Sequence, residues 1–254
     1  MIDPNKRDLL YCQDVNHGKV YRYTANQRAN ETKSRTQRKV RETMKKEKGM
    51  DILESQMPSY KTMQIDLFVQ YLTYVQVTMS QRQVFYSEDI HTKWKWKTFI
   101  NTQKSEGNVI KSMKQTFGEK FVVVMGDWSD GGRTSKFQEP SKTKGWRTVF
   151  KKNKISCYLI DEFRTWTICP LCESRVTKWF KERRSSRPWQ RAKGRMEKVH
   201  GLLGCNNLEC IEQGWTYRLF NRDKLSTCNM INIVKSTLED KGRPLALSRT
   251  INPT

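Results

Sequence analysis

Apolar positions are concentrated over Asp8 to Gln13 and Lys19 to Thr24, and the turn formers Asn16, His17 and Gly18 lie between them, so a β-hairpin is predicted. The opening Met1 to Pro4 reads as the last part of an earlier strand, with too few residues before Asp3 to support a long one. From Asn26 to Lys48 no Gly or Pro interrupts a densely charged stretch, which predicts one long exposed helix. Leu67, Phe68, Tyr71, Leu72, Tyr74 and Val75 recur at three- and four-residue spacing and predict a second, packed helix. A third helix is expected through Trp94, Trp96, Phe99 and Ile100 towards Phe117, its aromatics reading as core first and as base-stacking platforms second.

Beyond Gly118 the pattern changes to short apolar runs. Phe121 to Met125 predicts a strand delivering Gly126 and Asp127, followed by a polar loop with Gly131 and Gly132 and a basic helix over Thr143 to Lys152. Cys157 to Ile160 then predicts a strand buried on both faces. Strand, helix, strand is a crossover unit, and it would bring Asp127 and Glu162 to the same end of neighbouring parallel strands. Trp215 to Phe220 is strand-like, Asn221 is a helix N-cap, and Leu225, Cys228, Ile231 and Val234 repeat at helical spacing. The tail after Lys241 reads as irregular.

Charge adds a partner to this picture. Across 254 residues, 48 Lys and Arg against 26 Asp and Glu give a net charge of +22, which points to a polyanion, and eight Trp and nine Tyr among the cations suit stacking on single-stranded bases. The excess in Asn26 to Lys48, with Arg28, Lys33, Arg35 and Arg38 among its nine cations, favours a phosphate-contacting helix over a merely solvated one. Glu173 to Lys198 carries ten Lys and Arg against three acids, and reads as a phosphate-binding finger or a charged loop. No run of about 18 apolar residues occurs, so neither a membrane span nor a secretory signal is expected.

Two kinds of candidate chemistry stand out. Cys169 and Cys172 form one short-range pair and Cys205 and Cys210 another, which suits a structural Zn²⁺ site with four thiolates and no open position; redox-active or simply buried thiols are the alternatives. Seven cysteines used this way imply a reducing compartment, with Cys12, Cys157 and Cys228 as small buried hydrophobes. Asp3, Asp127 and Glu162 fall at strand ends and Asp223 in the first turn of the last helix, where carboxylates could hold Mg²⁺ or Mn²⁺ for phosphodiester cleavage. Each also has an ordinary reading as a turn, cap or solvated strand-end residue.

Taken in order, several segments resemble the Fanzor proteins, eukaryotic relatives of the transposon-encoded TnpB nucleases. They are Ile2 to Tyr11, Val123 to Ser129, Tyr158 to Thr165 with Cys169 and Cys172, His200 to Leu203 with Cys205 and Cys210, and Asn221 to Asp223 with Asn229. The resemblance implies a mixed α/β fold: an RNase H-like RuvC nuclease core with a long helical insertion and an inserted four-cysteine zinc ribbon. The core would occupy 1–24, 119–167 and 215–240, the basic helical insertion 25–118 and the nucleic-acid-binding zinc ribbon 168–214, with an irregular tail over 241–254. It further implies RNA-guided cleavage of single-stranded or unwound DNA, with Asp3, Glu162 and Asp223 as catalytic, metal-holding acids and Asp127 as second choice for the middle one. The usual TnpB glutamate would fall near Gly126 and Asp127, where this chain has none.

Asn5 stands where Gly is common in the family, and Trp166 where a small hydroxyl residue is usual. The family's large amino-terminal portion, which recognises guide RNA and target duplex, has no counterpart before Asp3, so a truncated or decayed copy is expected. The resemblance and the basic run Lys181 to Arg184 suggest the nucleus. The competing reading is a non-catalytic zinc-ribbon module that binds DNA or RNA, and a ribonuclease or junction resolvase is a weaker third.

Overall fold

The computed structural model describes residues 1–128, 141–211 and 217–249. The predicted polar loop at Gly131 and Gly132, the start of the strand-like run at Trp215, and the ends of the predicted ribbon and tail lie outside these residues. The chain is mixed α/β, with a cluster of four cysteines, and divides into two compact units, Met1–Ala25 with Ile110–Thr254 and Asn26–Val109.

In chain order the elements begin with strands β1 (Ile2–Asp3), β2 (Asp8–Gln13) and β3 (Val20–Thr24). Helices α1 (Ala25–Thr32), α2 (Ser34–Glu47), α3 (Met50–Ser55), α4 (Ile65–Tyr86) and α5 (Asp89–Phe117) follow. Then come β4 (Val123–Gly126), α6 (Thr143–Lys152), β5 (Cys157–Ile160), β6 (Thr177–Lys178), β7 (Glu182–Arg184), α7 (Pro188–Arg191), β8 (Met196–Lys198), β9 (Leu202–Cys205), β10 (Arg218–Asn221) and α8 (Arg222–Leu238).

The larger unit is built on a five-stranded sheet in the order β3-β2-β1-β4-β5. β2 runs antiparallel to β1 and β3, while β1, β4 and β5 are parallel. The two-residue β1 is therefore central, with Ile2 paired to both Cys12 and Met125. Pro4 then ends it, because proline has no N–H to give to a ladder. The predicted crossover is present: Gly126 pairs with Ile160, and the Asp127 N–H donates to the Ile160 carbonyl at 3.0 Å. α6 supports the sheet through Trp146 and Phe150, both fully buried, and Trp146 meets Tyr23 of β3 edge-on at 5.5 Å between ring centres.

β5 departs from expectation. Among the described residues it is an edge strand, not a strand covered on both faces, and Tyr158 and Leu159 are 63% and 49% exposed. A four-residue apolar run cannot reveal whether a sixth strand pairs beyond it. Cys12 is buried as expected, whereas Cys157 and Cys228 are half-buried.

α8 lies along β1 and β2, with Leu225, Met230, Ile231 and Ile233 buried. Asn221 caps it, its side chain accepting the N–H groups of Asp223 and Lys224 at 3.0 and 3.2 Å. Among the described residues of the tail, Leu245–Leu247 form a short 3-10 turn whose Leu247 packs with Ile168 and Ile233.

The second unit is helical. The predicted single helix over Asn26 to Lys48 is two, α1 and α2, broken at Lys33, whose φ of 59° is left-handed. Neither Gly nor Pro marks that break, which is why it was invisible in the sequence. α4 is packed only in part: of the predicted stripe, Leu67, Phe68 and Leu72 are 42–49% exposed while Tyr71, Tyr74 and Val75 are half-buried, and only Thr78 and Phe85 on this helix are buried. In α5, Trp94 is half-buried beside His91 with the Arg41 guanidinium 5.7 Å from its ring centre, whereas Trp96 and Phe99 stack on each other and are exposed instead of forming core.

Candidate carboxylate site and cysteine cluster

The end of β1, the loop after β5 and the first turn of α8 carry Asp3, Glu162 and Asp223, and the charges of the last two both reach Asp3. Asp3, 7% exposed, has its carboxyl pushed well up by burial first, then by the charges of Glu162 and Asp223, against a weaker opposing pull from Arg222 and a hydrogen bond with Ser226. Asp223 is 8% exposed and also raised, by burial and by Asp8, with Arg222 opposing. Its Oδ1 accepts from Asn5 Nδ2 at 2.9 Å and from Arg222 Nη2 at 3.2 Å.

Glu162 is raised to about 7, chiefly by desolvation and secondarily by Asp127 and Asp161, while the Trp128 N–H donates to its carboxylate and resists the shift. Its Oε1 is shielded from solvent and has no hydrogen-bond partner among the described residues. Gly126 makes room for it: the carboxylate lies over β4 in the volume a side chain there would need. Asp127, the second candidate, is exposed at the end of β4.

Sequence reading missed Asp8. It opens a strand buried along its whole length, is 5% exposed, and is held by Arg22 Nη2 at 2.6 Å. A lone carboxylate at the head of an apolar run was the available signal. It missed too the polar side chains that fix the Glu162 loop. Thr165, fully buried, donates from its N–H and hydroxyl to the Glu162 carbonyl at 3.1 and 2.9 Å, and its hydroxyl lies 3.1 Å from that of Ser226. Asn229, 1% exposed, donates to the carbonyls of Thr165 and Ile168 at 2.6 and 2.7 Å. One helix thus carries Asp223 and grips the loop that carries Glu162.

A buried carboxylate oxygen without a donor, and a buried Asp3 pushed up by two neighbouring acids, are features a divalent cation would relieve. Carboxylate oxygens are the donor type that hard divalent cations take. Among the described residues, however, three or more ligand side chains gather closely enough for one ion only at the cysteines.

That cluster begins seven residues after Glu162. The ligand atoms of Cys169, Cys172, Cys205 and Cys210 all lie within 4.8 Å of one another, with Cys169 and Cys210 sulfurs 3.5 Å apart and those of Cys172 and Cys205 likewise 3.5 Å. Four thiolates at about 2.3 Å from a tetrahedral Zn²⁺ would stand roughly 3.8 Å apart, so the set fits zinc with little adjustment. The turn after the first pair is closed by Glu173 at φ 56°, and Cys169 N–H donates to the Ser174 carbonyl at 2.8 Å. Asn207 joins the two turns by donating to Ser174 Oγ at 2.8 Å.

The cluster packs on a three-stranded sheet, β10-β9-β6, and on Leu225 of α8. Between its two cysteine pairs the basic segment forms an antiparallel hairpin, β7 with β8, joined through α7, and Phe180 and Trp189 are 74% and 64% exposed. No helix among the described residues is long and apolar enough to cross a membrane. Searches of protein-family models and of curated proteins found no match to this chain.

Proposed function

We propose that the larger unit is the nuclease core of an RNA-guided DNA endonuclease of the Fanzor/TnpB type. Its RuvC site would be Asp3, Glu162 and Asp223, and its cysteine cluster a structural zinc ribbon. One observation carries the reading: the buried Asp3 carboxyl at the end of the central strand is pushed up by the charges of both Glu162 and Asp223, acids 159 and 220 positions away in the numbering. The sheet order β3-β2-β1-β4-β5, with β2 alone antiparallel to its neighbours, supports an RNase H-like core. The net charge of +22 supports a nucleic-acid partner, with guide RNA and unwound DNA as the expected polyanions and the nucleus as the expected compartment.

When bound, Mg²⁺ or Mn²⁺ would supply an activated water and stabilise the leaving oxygen. The protein's part is to aim carboxylates at that point. Asp3 is fixed by its place in the central strand and by Ser226, Asp223 by Asn5 and Arg222, and Glu162 by the Trp128 N–H and the absence of a side chain at Gly126. Arg222, half-exposed beside Asp223, is available to meet the substrate phosphate.

A second reading is a non-catalytic zinc-ribbon module that binds DNA or RNA. It is favoured by the spacing of the acids, which do not cluster as closely as the cysteines, and by the donors that Asn5 and Arg222 already place on Asp223 Oδ1. Incubating single-stranded DNA and Mg²⁺ with the protein and with Asp3→Ala, Glu162→Ala and Asp223→Ala separates the two. Cleavage lost in all three variants is the expected result. Equal cleavage by all four proteins would remove the catalytic assignment, and salt-sensitive binding without cleavage would establish the second reading.

A further inference from the structure

The loop that carries Glu162 leaves an edge strand, so among the described residues its carbonyls have no neighbouring strand to donate to them. The segment after α8 supplies donors instead. Arg243 Nη2 donates to the Asp161 carbonyl at 3.1 Å and to the Phe163 carbonyl at 3.2 Å, the residues on either side of Glu162. Its Nε donates to the Leu247 carbonyl at 2.7 Å, which ties the guanidinium to the 3-10 turn anchored by buried Leu247. Arg249 reinforces the same place, forking onto both Asp161 carboxylate oxygens at 3.1 and 3.2 Å and lying 4.8 Å from the Phe163 ring centre.

We propose that Arg243 is a positioning residue for Glu162: by holding the carbonyls on both sides of it, the guanidinium sets the direction in which the Glu162 carboxylate points. This rests on the carboxylate-site reading above. Three carbonyls at three different points require a planar fork of donors, which arginine has and lysine, with its donors on one nitrogen, lacks. Thr165, within the loop, holds the Glu162 carbonyl, and Asn229 of α8 braces the turn that follows, which leaves the carbonyls of Asp161 and Phe163 as the part fixed from the tail.

The test is Mn²⁺ affinity of the zinc-loaded chain, read by electron paramagnetic resonance of the free ion, for wild type, Arg243→Ala, Arg243→Lys, Glu162→Gln and the double variant Arg243→Ala with Glu162→Gln. Supporting structural partners of metal ligands are worth about ten- to a hundredfold in affinity. Arg243→Ala and Arg243→Lys should therefore both weaken Mn²⁺ binding by about tenfold or more. In the Glu162→Gln background, Arg243→Ala should add nothing, because the residue acts through that carboxylate. Equal weakening in both backgrounds would show a general structural role and overturn the proposal, as would wild-type affinity in Arg243→Ala and Arg243→Lys. Should Arg243→Ala not fold, Arg243→Lys, alone and with Glu162→Gln, carries the same comparison. Wild-type affinity in Glu162→Gln would overturn the carboxylate-site reading itself, and this inference with it.

Discussion

The Glu162 side chain occupies the space that any side chain at Gly126 would claim: a methyl group there would fall on Glu162 Oε1 and Cδ. Gly126 ends β4 paired with Ile160, and Glu162 follows two residues beyond the end of β5, so the glycine is a condition for the carboxylate's placement. Gly126→Ala should push Glu162 out of the site. The displaced atoms are the far end of a flexible side chain, so the fold should lose only about 1–3 kcal/mol, while Mn²⁺ affinity and any Mg²⁺-dependent cleavage fall to the level of Glu162→Ala. Titration calorimetry beside chemical denaturation checks both halves. Wild-type metal affinity in Gly126→Ala would show that Glu162 does not act from this position.

The raised pKa of Glu162 gives a pH dependence with a definite sign. Its folded value of about 7 lies above the ordinary 4.5, so the metal-free protein has the full benefit of the protonated form below pH 4.5 and loses it as pH rises towards 7. At about 1.36 kcal/mol per unit, the loss is on the order of 3 kcal/mol. Denaturant unfolding from pH 4.5 to 8 should show this fall. Glu162→Gln should reduce it, leaving what the likewise raised Asp3 and Asp223 contribute, and Mn²⁺ should offset it by favouring the ionised form; a slope unchanged in Glu162→Gln would assign it elsewhere.

Asn229 links the acidic site to the cysteine cluster. Asn229→Ala leaves two buried carbonyls, of Thr165 and Ile168, without that donor, at about 1–3 kcal/mol each. The expected destabilisation by denaturant unfolding is therefore about 2–6 kcal/mol, with zinc retained, because none of the four thiols is touched. Cys169→Ser should instead lower zinc below one ion per chain by elemental analysis. Full zinc content in Cys169→Ser would contradict the four-thiolate site.

The hairpin between the cysteine pairs separates stacking from charge. Trp189→Ala removes a 64% exposed indole and should weaken single-stranded DNA binding by about 1–3 kcal/mol, with little change in salt dependence. Arg183→Ala with Arg184→Ala should do the reverse, lowering the slope of log affinity against log salt by about 0.7 for each phosphate no longer neutralised. Fluorescence anisotropy at several salt concentrations measures both, and unchanged binding in all variants would exclude this hairpin as a nucleic-acid surface.

Much of the local structure was legible because it depends on neighbours in sequence. The hairpin of β2 and β3, the β4-α6-β5 crossover, the Asn221 cap and the pairing of the four cysteines follow from turn chemistry, periodicity and ligand spacing. What failed depended on what lies across space. The exposure of β5 turns on the lack of a further strand beside it among the described residues, the exposure of α4 on a partner face that its own spacing cannot report, and the break at Lys33 on a left-handed residue that no Gly announces.

The same division runs through the candidate site. Sequence alone determined which residue types could bind metal and that the cysteines come in two close pairs, because thiolate chemistry and short spacing are local properties. Only the tertiary structure decided that Glu162 and not Asp127 is the shielded acid, that Asp8 joins Asp223, and that Asn229 and Arg243 hold the loop between sheet and cysteines. Burial, desolvation and hydrogen-bond supply are set by segments up to 218 positions apart, as with Asn5 and Asp223, and no reading of adjacent residues contains them.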